Sequence, residues 1–355
     1  MSVTCDNFGR TAAGRDISLY TITNENGVSA AFTDLGACWV SMIVPDKDGH
    51  MDDVTLGLKS GEEYELRAFD AIGAPVGRNA NRIDGCRFSL NGVTYTLSDN
   101  DGGRNLHSGP DVYYKRLWKG NPVDTELGEG IEFSLFSPDM DQGMPGNLNV
   151  SITYILTPDN SVVIEYRGLS DKDTLFNMTH HAYFNLAGHN SGNMYDELLW
   201  IDADRFLYGS DGRVTDDEPY DVTGTAFDFR QLKRISDDIG CDDERIRSRG
   251  GYDHNFCLNT KGDCVELAAK LVNEKNGRFM DVFTDLPGIQ IYTGNFLSDK
   301  SVAKDNAVYH PGDGIAMETQ FWPDAINHPD FAQPVIKAGC EFMTQTIYHF
   351  GVIGE

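Results

Sequence analysis

Two runs rich in β-branched and aromatic residues stand on either side of a turn-forming segment: Val150-Ser151-Ile152-Thr153-Tyr154-Ile155-Leu156 and Ser161-Val162-Val163-Ile164-Glu165-Tyr166, separated by Thr157-Pro158-Asp159-Asn160. β-branched and aromatic side chains favour strands, whereas proline, aspartate and asparagine favour turns. The segment therefore predicts an antiparallel β-hairpin.

Two further hairpins are indicated by Asn-Gly pairs, which are the strongest short-range hairpin signal. Asn91-Gly92 separates Phe88-Ser89-Leu90 from Val93-Thr94-Tyr95-Thr96-Leu97. Asn26-Gly27 precedes Val28-Ser29-Ala30-Ala31-Phe32. Short strands joined by such turns are typical of an all-β protein.

The rest of the chain adds little helix and no sign of a second domain. Residues 60–71 fit one short helix with Ser60 as its N-cap. Residues 209–225 and 237–253 are polar, acidic and rich in glycine and aspartate, which predicts long surface loops. No fixed-period repeat and no low-complexity linker divides the 355 residues. We therefore predict an all-β protein with residues 1–355 in a single domain, a large antiparallel β-sandwich with few short helices.

The charge of the chain restricts its partners. It has 29 Lys and Arg residues against 55 Asp and Glu residues, which gives a formal net charge of −26. Such a surface repels phosphate backbones and anionic lipid headgroups, so neither nucleic acid nor a membrane is expected as a partner. Phosphorylated substrates are disfavoured as well, and a neutral ligand suits this charge.

The cysteines and the N-terminal residues point to the cytoplasm. The seven cysteines are scattered, odd in number and without a Cys-x-x-Cys pair, which is typical of reduced thiols. Residues 1–6 contain neither the basic nor the apolar region of a secretory signal. The most apolar stretch, residues 37–44, is far too short to span a bilayer.

A polar strand face with a histidine is predicted in the segment Asn177-Met178-Thr179-His180-His181-Ala182-Tyr183-Phe184-Asn185-Leu186. Alternate side chains of a strand share a face. The odd-numbered residues would line the polar face with His181, and the even-numbered ones would pack in the core with His180. A histidine held on such a face can give or take a proton near neutral pH. The alternative is a pair of structural histidines near a strand end.

A carboxylate interrupts an apolar strand in the segment Gly314-Ile315-Ala316-Met317-Glu318-Thr319-Gln320. Because burying an unpaired charge is costly, Glu318 is expected to be either paired or functional. Desolvation would raise the pKa of its carboxyl group toward the range that suits a general base.

Two loops carry further donors. Asn81 and Arg82 lie in Gly77-Arg78-Asn79-Ala80-Asn81-Arg82-Ile83, where amide and guanidinium groups can bind hydroxyls or carboxylates. The alternative is that these arginines pair with some of the many acidic residues. His107 lies in Asn105-Leu106-His107-Ser108-Gly109 and is either functional or simply solvated.

Two strand-like segments add polar side chains. In Gly251-Tyr252-Asp253-His254-Asn255-Phe256, alternation would turn Asp253 toward a pocket while His254 packs inward. In Pro287-Gly288-Ile289-Gln290-Ile291-Tyr292, Gln290 and Tyr292 share one side. These groups together suit a neutral, polyhydroxylated ligand.

Several cofactor signatures do not occur in the sequence. It has no serine elbow, no P-loop and no glycine-rich dinucleotide-binding motif. Its histidines and acidic residues are not spaced like a metal-ligand set, so we expect no catalytic metal.

The motifs together resemble the aldose 1-epimerase (galactose mutarotase) family. Seven ordered segments carry the resemblance along most of the chain: residues 77–83, 105–109, 179–186, 224–230, 251–256, 288–295 and 318–324. The resemblance implies a galactose mutarotase-like β-supersandwich, a shallow sugar-binding cleft and no cofactor. It also implies an isomerase that interconverts the α and β anomers of free aldohexoses such as galactose and glucose, as a monomer or homodimer.

The resemblance also implies roles for the candidate residues. Glu318 matches the general base that removes the proton of the C1 hydroxyl, and His181 matches the general acid that protonates the ring oxygen. His107 matches a second histidine beside that oxygen. The residues that match those holding the sugar hydroxyls are Asn81, Arg82, Asp253 and Gln290.

The chain departs from the family pattern at three places. His180 replaces an asparagine before the catalytic histidine, Ser108 replaces a glycine, and residues 214–218 replace a Pro-Thr-Gly-Glu-like loop. In the predicted register His180 points away from the site, whereas a one-residue slip would exchange it with His181. The other two changes bear on sugar preference more than on activity.

Three other functions stay open at this point. A non-catalytic sugar-binding protein would need the cleft but not the acid and the base. A hexose-6-phosphate 1-epimerase would need extra basic residues at the rim, which the acidic composition disfavours. A glycosidase would use two carboxylates about 5–9.5 Å apart, and Asp253 with Glu318 could mimic that pair, although a histidine suits protonation of the ring oxygen better.

Overall fold

The computed structural model describes residues 2–66, 70–262, 264–298 and 302–354. Strands dominate these residues. The α-helices in them are short, α1 (Gly61–Leu66) and α2 (Glu244–Arg247). Single 3₁₀ turns occur at Tyr113–Lys115, Asp141–Gly143, Ser210–Gly212, Ile235–Asp237, Lys304–Asn306 and Ala325–Asn327.

The strands follow one another along nearly the whole chain. In chain order they are β1 (Ser2–Arg10), β2 (Asp16–Thr23), β3 (Ser29–Thr33), β4 (Trp39–Pro45), β5 (Met51–Asp53), β6 (Ala74–Val76), β7 (Arg82–Asp84), β8 (Arg87–Leu90), β9 (Val93–Thr96), β10 (Arg104–Leu106), β11 (Lys119–Thr125), β12 (Gly128–Ser137), β13 (Leu148–Leu156), β14 (Ser161–Ser170), β15 (Thr174–Leu175), β16 (Thr179–His181), β17 (Tyr183–Phe184), β18 (Leu198–Ile201), β19 (Ala203–Phe206), β20 (Tyr220–Asp221), β21 (Lys233–Arg234), β22 (Asp253–Leu258), β23 (Glu266–Val272), β24 (Arg278–Thr284), β25 (Gly288–Tyr292), β26 (Ile315–Gln320), β27 (Val335–Ile336) and β28 (Glu341–Val352).

Three large sheets organise these strands. The nine-stranded sheet has the order β11-β12-β13-β14-β28-β24-β23-β18-β21, the six-stranded sheet the order β17-β26-β25-β22-β19-β20, and the five-stranded sheet the order β1-β2-β3-β4-β5. The predicted hairpins are confirmed as β13–β14, β8–β9 and β2–β3, each an antiparallel pair. The all-β, sandwich-like prediction is therefore confirmed.

The three sheets share one hydrophobic core. Phe32 of β3, Tyr154 of β13 and Phe256 of β22 belong to the same buried cluster. The rings of Phe32 and Tyr154 stack with their centroids 4.1 Å apart, which joins the five- and nine-stranded sheets directly. Burial of one such side chain stabilises the fold by about 1.5–3 kcal/mol.

Strand alternation allows one face of a sheet to pack in the core while its other face carries polar side chains. Along β28, every second residue from Thr344 to Val352 is buried. In the six-stranded sheet, the register pairs Gln290 with Glu318 and with Asn255. Directly paired residues of antiparallel strands share a face, so these polar side chains form a row across the sheet. The other face of the same strands joins the core.

The few helical and loop predictions need correction. The helix predicted at residues 60–71 begins at Gly61 and ends at Leu66, and residues 67–69 lie outside the described residues. The loop predicted at 237–253 contains helix α2, whose N-cap Asp243 accepts a hydrogen bond from the backbone of Arg245. Four residues are too few to show helical periodicity in a sequence. The loop predicted at 209–225 contains the short strand β20.

No helix in the described ranges is both long and apolar enough to cross a bilayer.

Candidate active site

A cavity of about 450 Å³ opens over the polar face of the six-stranded sheet. All of the candidate residues predicted from the sequence line it: Asn81, Arg82, His107, His181, Asp253, Gln290 and Glu318. These residues are far apart in the sequence, and 237 positions separate Asn81 from Glu318. The fold therefore brings together in one place what the sequence presents as separate motifs.

Glu318 and His181 lie side by side at the buried floor of the cavity. Glu318 is 2% exposed and His181 is 7% exposed. The Glu318 Oε1 atom is 3.6 Å from the His181 Nε2 atom. Burial, reinforced by the charge of Asp253, raises the pKa of Glu318 well above its usual value. Burial lowers the pKa of His181 to about 4.

The two shifts both favour the uncharged form of each side chain. The uncharged form of the pair has a protonated Glu318 and a neutral His181, and desolvation favours it. Moving that proton from Oε1 to Nε2 produces a carboxylate beside an imidazolium. The second form contains both a base and an acid.

His180 points to the opposite side of its strand. Its Nε2 atom lies 2.9 Å from the Tyr154 hydroxyl, and its ring packs edge-on against Trp39 in the core. His181, in contrast, packs against Tyr183 with ring centroids 4.9 Å apart at the cavity wall. The alternation predicted from the sequence holds, and the one-residue slip that would exchange the histidines does not occur.

The backbone fixes the tautomer of His107. Its Nδ1 atom accepts the backbone N–H of Asn81 at 3.2 Å. A nitrogen that accepts a hydrogen bond carries no proton, so in the neutral ring the proton is on Nε2. Burial, with the fields of His181 and Arg82, lowers the pKa of His107 well below 6.5 and keeps the ring neutral. The ring is therefore a hydrogen-bond donor through Nε2, 5.7 Å from the His181 ring centroid to centroid.

The hydroxyl-binding candidates form a connected polar wall. The Asn81 side-chain amide donates to Gln290 at 3.1 Å, and the Gln290 amide donates to Asp253 at 2.7 Å. The Arg82 Nη1 atom lies 3.9 Å from the Asp253 carboxylate. Burial opposes ionisation of Asp253, but the charges of Arg82, His254 and Arg249 and the hydrogen bond from Gln290 together hold the pKa of Asp253 below its usual value. The wall thus offers a fixed carboxylate and fixed donors to sugar hydroxyls.

The two arginines of the 77–83 motif have different surroundings. The Arg82 Nε atom donates to Asp101 at 2.8 Å, and Arg82 also lines the cavity. Arg82 therefore pairs with an acidic residue, as the alternative interpretation of this motif expected, and is a cavity residue as well. Arg78 is completely buried, and its guanidinium group donates to Ser137 and to the Pro145 carbonyl. Arg78 therefore holds loops together.

Sequence reasoning missed several residues that line the cavity. Asp101, Tyr114 and Lys115 lie in segments without a recognised motif. Phe296 also lines the cavity. It directly follows the 288–295 motif, but no function was predicted for it. Among the aromatic residues of the quoted segments, Tyr183 and Tyr292 line the cavity, whereas Phe184 is core.

The fold also assembles a potential metal-ligand set that chain spacing did not indicate. His107, His181 and Glu318 each offer one ligand atom, all within 4.8 Å of one another. Two imidazoles and a carboxylate are a donor set that zinc accepts. The His107 tautomer weighs against such a role, because Nε2 would first have to lose its proton. Arg82, whose charge lowers the pKa of His107, also opposes a second cation.

A family model described as Aldose 1-epimerase matches residues 18–349 of the chain. The chain belongs to the aldose 1-epimerase family. The resemblance seen in the seven motifs is thereby confirmed over almost the whole length of the chain.

Family members of known name are similar over most of their length. The chain is 38% identical to the aldose 1-epimerase of Escherichia coli (strain K12) over 339 residues, covering 95% of this chain and 96% of that protein. It is 38% identical to the galactose mutarotase of Sus scrofa over 317 residues, covering 89% of each chain.

Solved structures of the family share the fold. A galactose 1-epimerase from Lactobacillus acidophilus superposes with a TM-score of 0.86 at 28% identity, covering 99% of both chains. An aldose epimerase homologue from C. elegans superposes with a TM-score of 0.84 at 29% identity, covering 94% of this chain and 98% of that one. The family fold predicted for this chain is thereby confirmed.

Proposed function

We propose that this protein is an aldose 1-epimerase, an isomerase that interconverts the α and β anomers of a free aldose such as galactose or glucose. One observation carries the proposal. A buried glutamate and histidine lie 3.6 Å apart in a cavity whose wall offers fixed hydroxyl-binding groups. Relatives named aldose 1-epimerase and galactose mutarotase, 38% identical to this chain, support it.

The reaction needs a base at the C1 hydroxyl and an acid at the ring oxygen. Glu318 as carboxylate takes the hydroxyl proton, and the released electron pair forms the C1=O bond. The C1–O5 bond breaks, its electron pair stays on O5, and the His181 imidazolium protonates that oxygen. Each well-placed acid or base accelerates such a step by about 10²–10⁴-fold.

Ring closure reverses these proton transfers. Rotation about the C1–C2 bond turns the other face of the aldehyde toward O5. His181 then takes the O5 proton while O5 attacks C1, and Glu318 returns a proton to O1. The product is the opposite anomer, and the pair regains its starting protonation. No other reactant is consumed.

The remaining candidates bind and orient the sugar. In this proposal, the neutral His107 donates through Nε2 to the ring oxygen. The sugar hydroxyls are held by the wall of Asn81, Arg82, Asp253 and Gln290. A sugar held between acid and base gains a proximity effect on top of the proton transfers.

The decisive experiment follows optical rotation after dissolving α-D-galactose in a weak, non-catalytic buffer. Wild type should speed the approach to anomeric equilibrium. Glu318→Gln should lose at least about 10²-fold, because an amide cannot accept the proton. Glu132→Gln, on strand β12 outside the cavity, is the matched control and should behave like wild type.

The outcomes separate the function from the base assignment. A wild type no faster than buffer with galactose, glucose, xylose and arabinose would rule out a common-aldose mutarotase. A fully active Glu318→Gln variant would keep the function and remove Glu318 as the base.

The same proposal includes a neutral monosaccharide as ligand, no nucleic acid or membrane as partner, a monomer or homodimer, and the cytoplasm as the compartment. The net charge of −26 supports an uncharged ligand. The seven cysteines are odd in number and scattered along the chain, which supports a reducing compartment.

A further inference from the structure

A small chamber adjoins the reaction cavity beside the hydroxyl-binding wall. It has a volume of about 30 Å³, and the four wall residues Asn81, Arg82, Asp253 and Gln290 line both spaces. Part of the chamber lining comes from the loop of residues 207–219, which joins β19 to β20. The position of this 207–219 loop therefore determines the space next to the groups that hold the sugar in the proposed function.

Asp216 gives the 207–219 loop its shape. Its carboxylate accepts hydrogen bonds from the hydroxyls of Ser210 at 2.9 Å and Tyr220 at 2.5 Å, and it pairs with Arg213 at 2.8 Å. Its backbone N–H donates to the Tyr208 carbonyl at 3.0 Å. All four partners belong to the loop itself or to the first residue of β20. These contacts therefore close the loop on itself and leave its attachment to the sugar site to other residues.

His328 connects the loop with the rest of the protein. Its Nδ1 atom lies 3.2 Å from an Asp217 carboxylate oxygen, and its Nε2 atom lies 3.3 Å from an Asp324 carboxylate oxygen. The ring also stacks on that of Phe331, with the centroids 4.7 Å apart. Because an ionised carboxylate only accepts hydrogen bonds, the ring can serve both carboxylates only as the imidazolium, which donates from both nitrogens. The charged ring therefore bridges an exposed loop residue and a buried turn residue.

Asp324 links His328 to the strand that carries Arg82. Its backbone N–H donates to the Arg82 carbonyl at 2.9 Å, and its carboxylate accepts the backbone N–H of Asp84 at 3.1 Å. Arg82 and Asp84 are the two ends of strand β7. One end of the His328 bridge therefore lies at the hydroxyl-binding wall, and the other end, Asp217, lies in the loop.

We propose that His328 is a positioning residue that clamps the 207–219 loop, through Asp217, to the Asp324 turn beside the sugar site. This inference rests on the proposed aldose 1-epimerase function. His328 itself is not part of the cavity lining that the structure describes, so it acts on sugar binding through the loop and leaves proton transfer unchanged. The clamp gives a role to residues 214–218, the segment in which this chain departs from the family pattern.

The first test measures KM and kcat for α-D-galactose by polarimetry at about pH 6, within the range where histidine side chains take up charge. Asp217→Asn should raise KM about threefold and leave kcat within about twofold of wild type, because a partly exposed ion pair contributes only modestly. His328→Gln removes both contacts and should raise KM about tenfold. Adding Asp217→Asn to His328→Gln should change KM no further, since the two residues act through one contact.

Asp46→Asn is the matched control. Asp46 lies 3.5 Å from His50, so it is also a carboxylate beside a histidine, and neither residue lines the cavity or the chamber. This variant should have the KM and kcat of wild type.

A second measurement follows the loop without an activity assay. Arg213 lies in the loop with its side chain 48% exposed, so trypsin can cleave after it when the loop opens locally. Asp217→Asn should speed this cleavage about threefold, as measured by mass spectrometry, and Asp46→Asn should not. Both variants should keep the melting temperature of wild type, which separates release of the loop from a general loss of stability.

The possible failures are distinguishable. An active Asp217→Asn variant with unchanged KM and unchanged cleavage overturns the clamp and leaves the proposed function intact. Additive effects of the two substitutions on KM also overturn it, because they show that Asp217 and His328 act independently. A loss of kcat at constant KM does the same. If wild type accelerates no aldose, the positioning role and the proposed function fall together. Asp217 is 83% exposed, so its variant keeps the test decisive even if His328→Gln does not fold.

Discussion

The proton held by Glu318 and His181 governs what this site can do. Burial favours the protonated glutamate and the neutral histidine, whereas the proposed roles need the carboxylate and the imidazolium. The Glu318 Oε1 and His181 Nε2 atoms lie 3.6 Å apart, so the protonation of each group bears on the other. The acid and the base thus arise together, and a pH change that alters the total number of protons on the pair removes both.

The first prediction is a bell-shaped pH dependence of kcat/KM. Below the lowered pKa of His181, about 4, both groups are protonated and Glu318 cannot accept a proton. Above the raised pKa of Glu318 the pair holds no proton and lacks its acid. Activity should therefore be level between these two pKa values and fall on either side of them. Polarimetry corrected for the spontaneous rate measures the profile, and an acid limb centred near the ordinary histidine value of about 6.5 would contradict the paired proton.

A second buried glutamate gives a prediction about stability. Glu197 is 1% exposed, and burial raises the pKa of its carboxyl group to about 8. Its Oε1 atom accepts the backbone N–H of Leu186 at 2.7 Å, so it supports the segment that follows the His181 strand. A carboxyl group with a raised folded pKa binds more protons in the folded than in the unfolded chain, so its contribution to stability decreases as pH rises from about 4.5 to about 8.

Unfolding by urea at several pH values tests this expectation. The free energy of unfolding of wild type should fall relative to that of Glu197→Gln between pH 5 and pH 8, by about 1–4 kcal/mol, because glutamine does not ionise. Parallel curves for the two proteins would show that Glu197 keeps an ordinary pKa.

Individual site residues were predictable where strand alternation or a motif pointed to them. His181, Asp253 and Gln290 all face the cavity as the alternation indicated. Asp101, which binds Arg82, was not predictable, because the two residues are 19 positions apart and their pairing depends on how the loops fold. The close approach of His107, His181 and Glu318 was not predictable for the same reason.

At the scale of elements, local hairpins were predictable and sheet order was not. The β13–β14 and β8–β9 hairpins depend on turns of a few residues that the sequence shows directly. The order β14-β28-β24 joins strands that are far apart in the chain, and nothing in the local pattern specifies which strands become neighbours. Helix α2 escaped prediction because one turn is too short for a periodic pattern.

Gly73 connects two strands through its backbone hydrogen bonds and gives a further prediction. Its carbonyl accepts the N–H of Trp39 at 2.7 Å, and its N–H donates to the His181 carbonyl at 3.1 Å, so it ties β4 to β16. It has φ +65°, and a Cβ added there would lie 2.0 Å from the Trp39 carbonyl oxygen. Gly73→Ala should destabilise the fold by about 3 kcal/mol or more, since strain and a backbone clash combine.

Gly27→Ala is the matched control for this substitution. Gly27 has φ +77°, and no atom lies within 4 Å of an added Cβ. The substitution should therefore lower the free energy of unfolding only through the unfavourable positive φ of alanine, by about 1–2 kcal/mol. Urea midpoints of the two variants give the difference. Equal losses of stability in the two variants would mean that the backbone around Gly73 rearranges to remove the clash.

At the scale of the whole molecule, charge is the dominant property. A net charge of −26 on 355 residues destabilises the compact state through self-repulsion, and dissolved ions screen that repulsion. The melting temperature should therefore rise by several degrees between about 10 mM and 500 mM sodium chloride. A melting temperature that stays constant or falls over that range would show that local ion pairs outweigh the net charge. The single-domain organisation of residues 1–355 stays a prediction.

The position of β28 has a consequence for biosynthesis. This strand, Glu341–Val352, lies between β14 and β24 in the middle of the nine-stranded sheet, although it follows every other strand in the chain. A ribosome therefore releases the two halves of the sheet before the strand that joins them exists. During that interval two long strand edges are unpaired, and such edges are where nascent chains associate wrongly. Folding of this protein in the cell thus depends on how long its partly made sheet is protected.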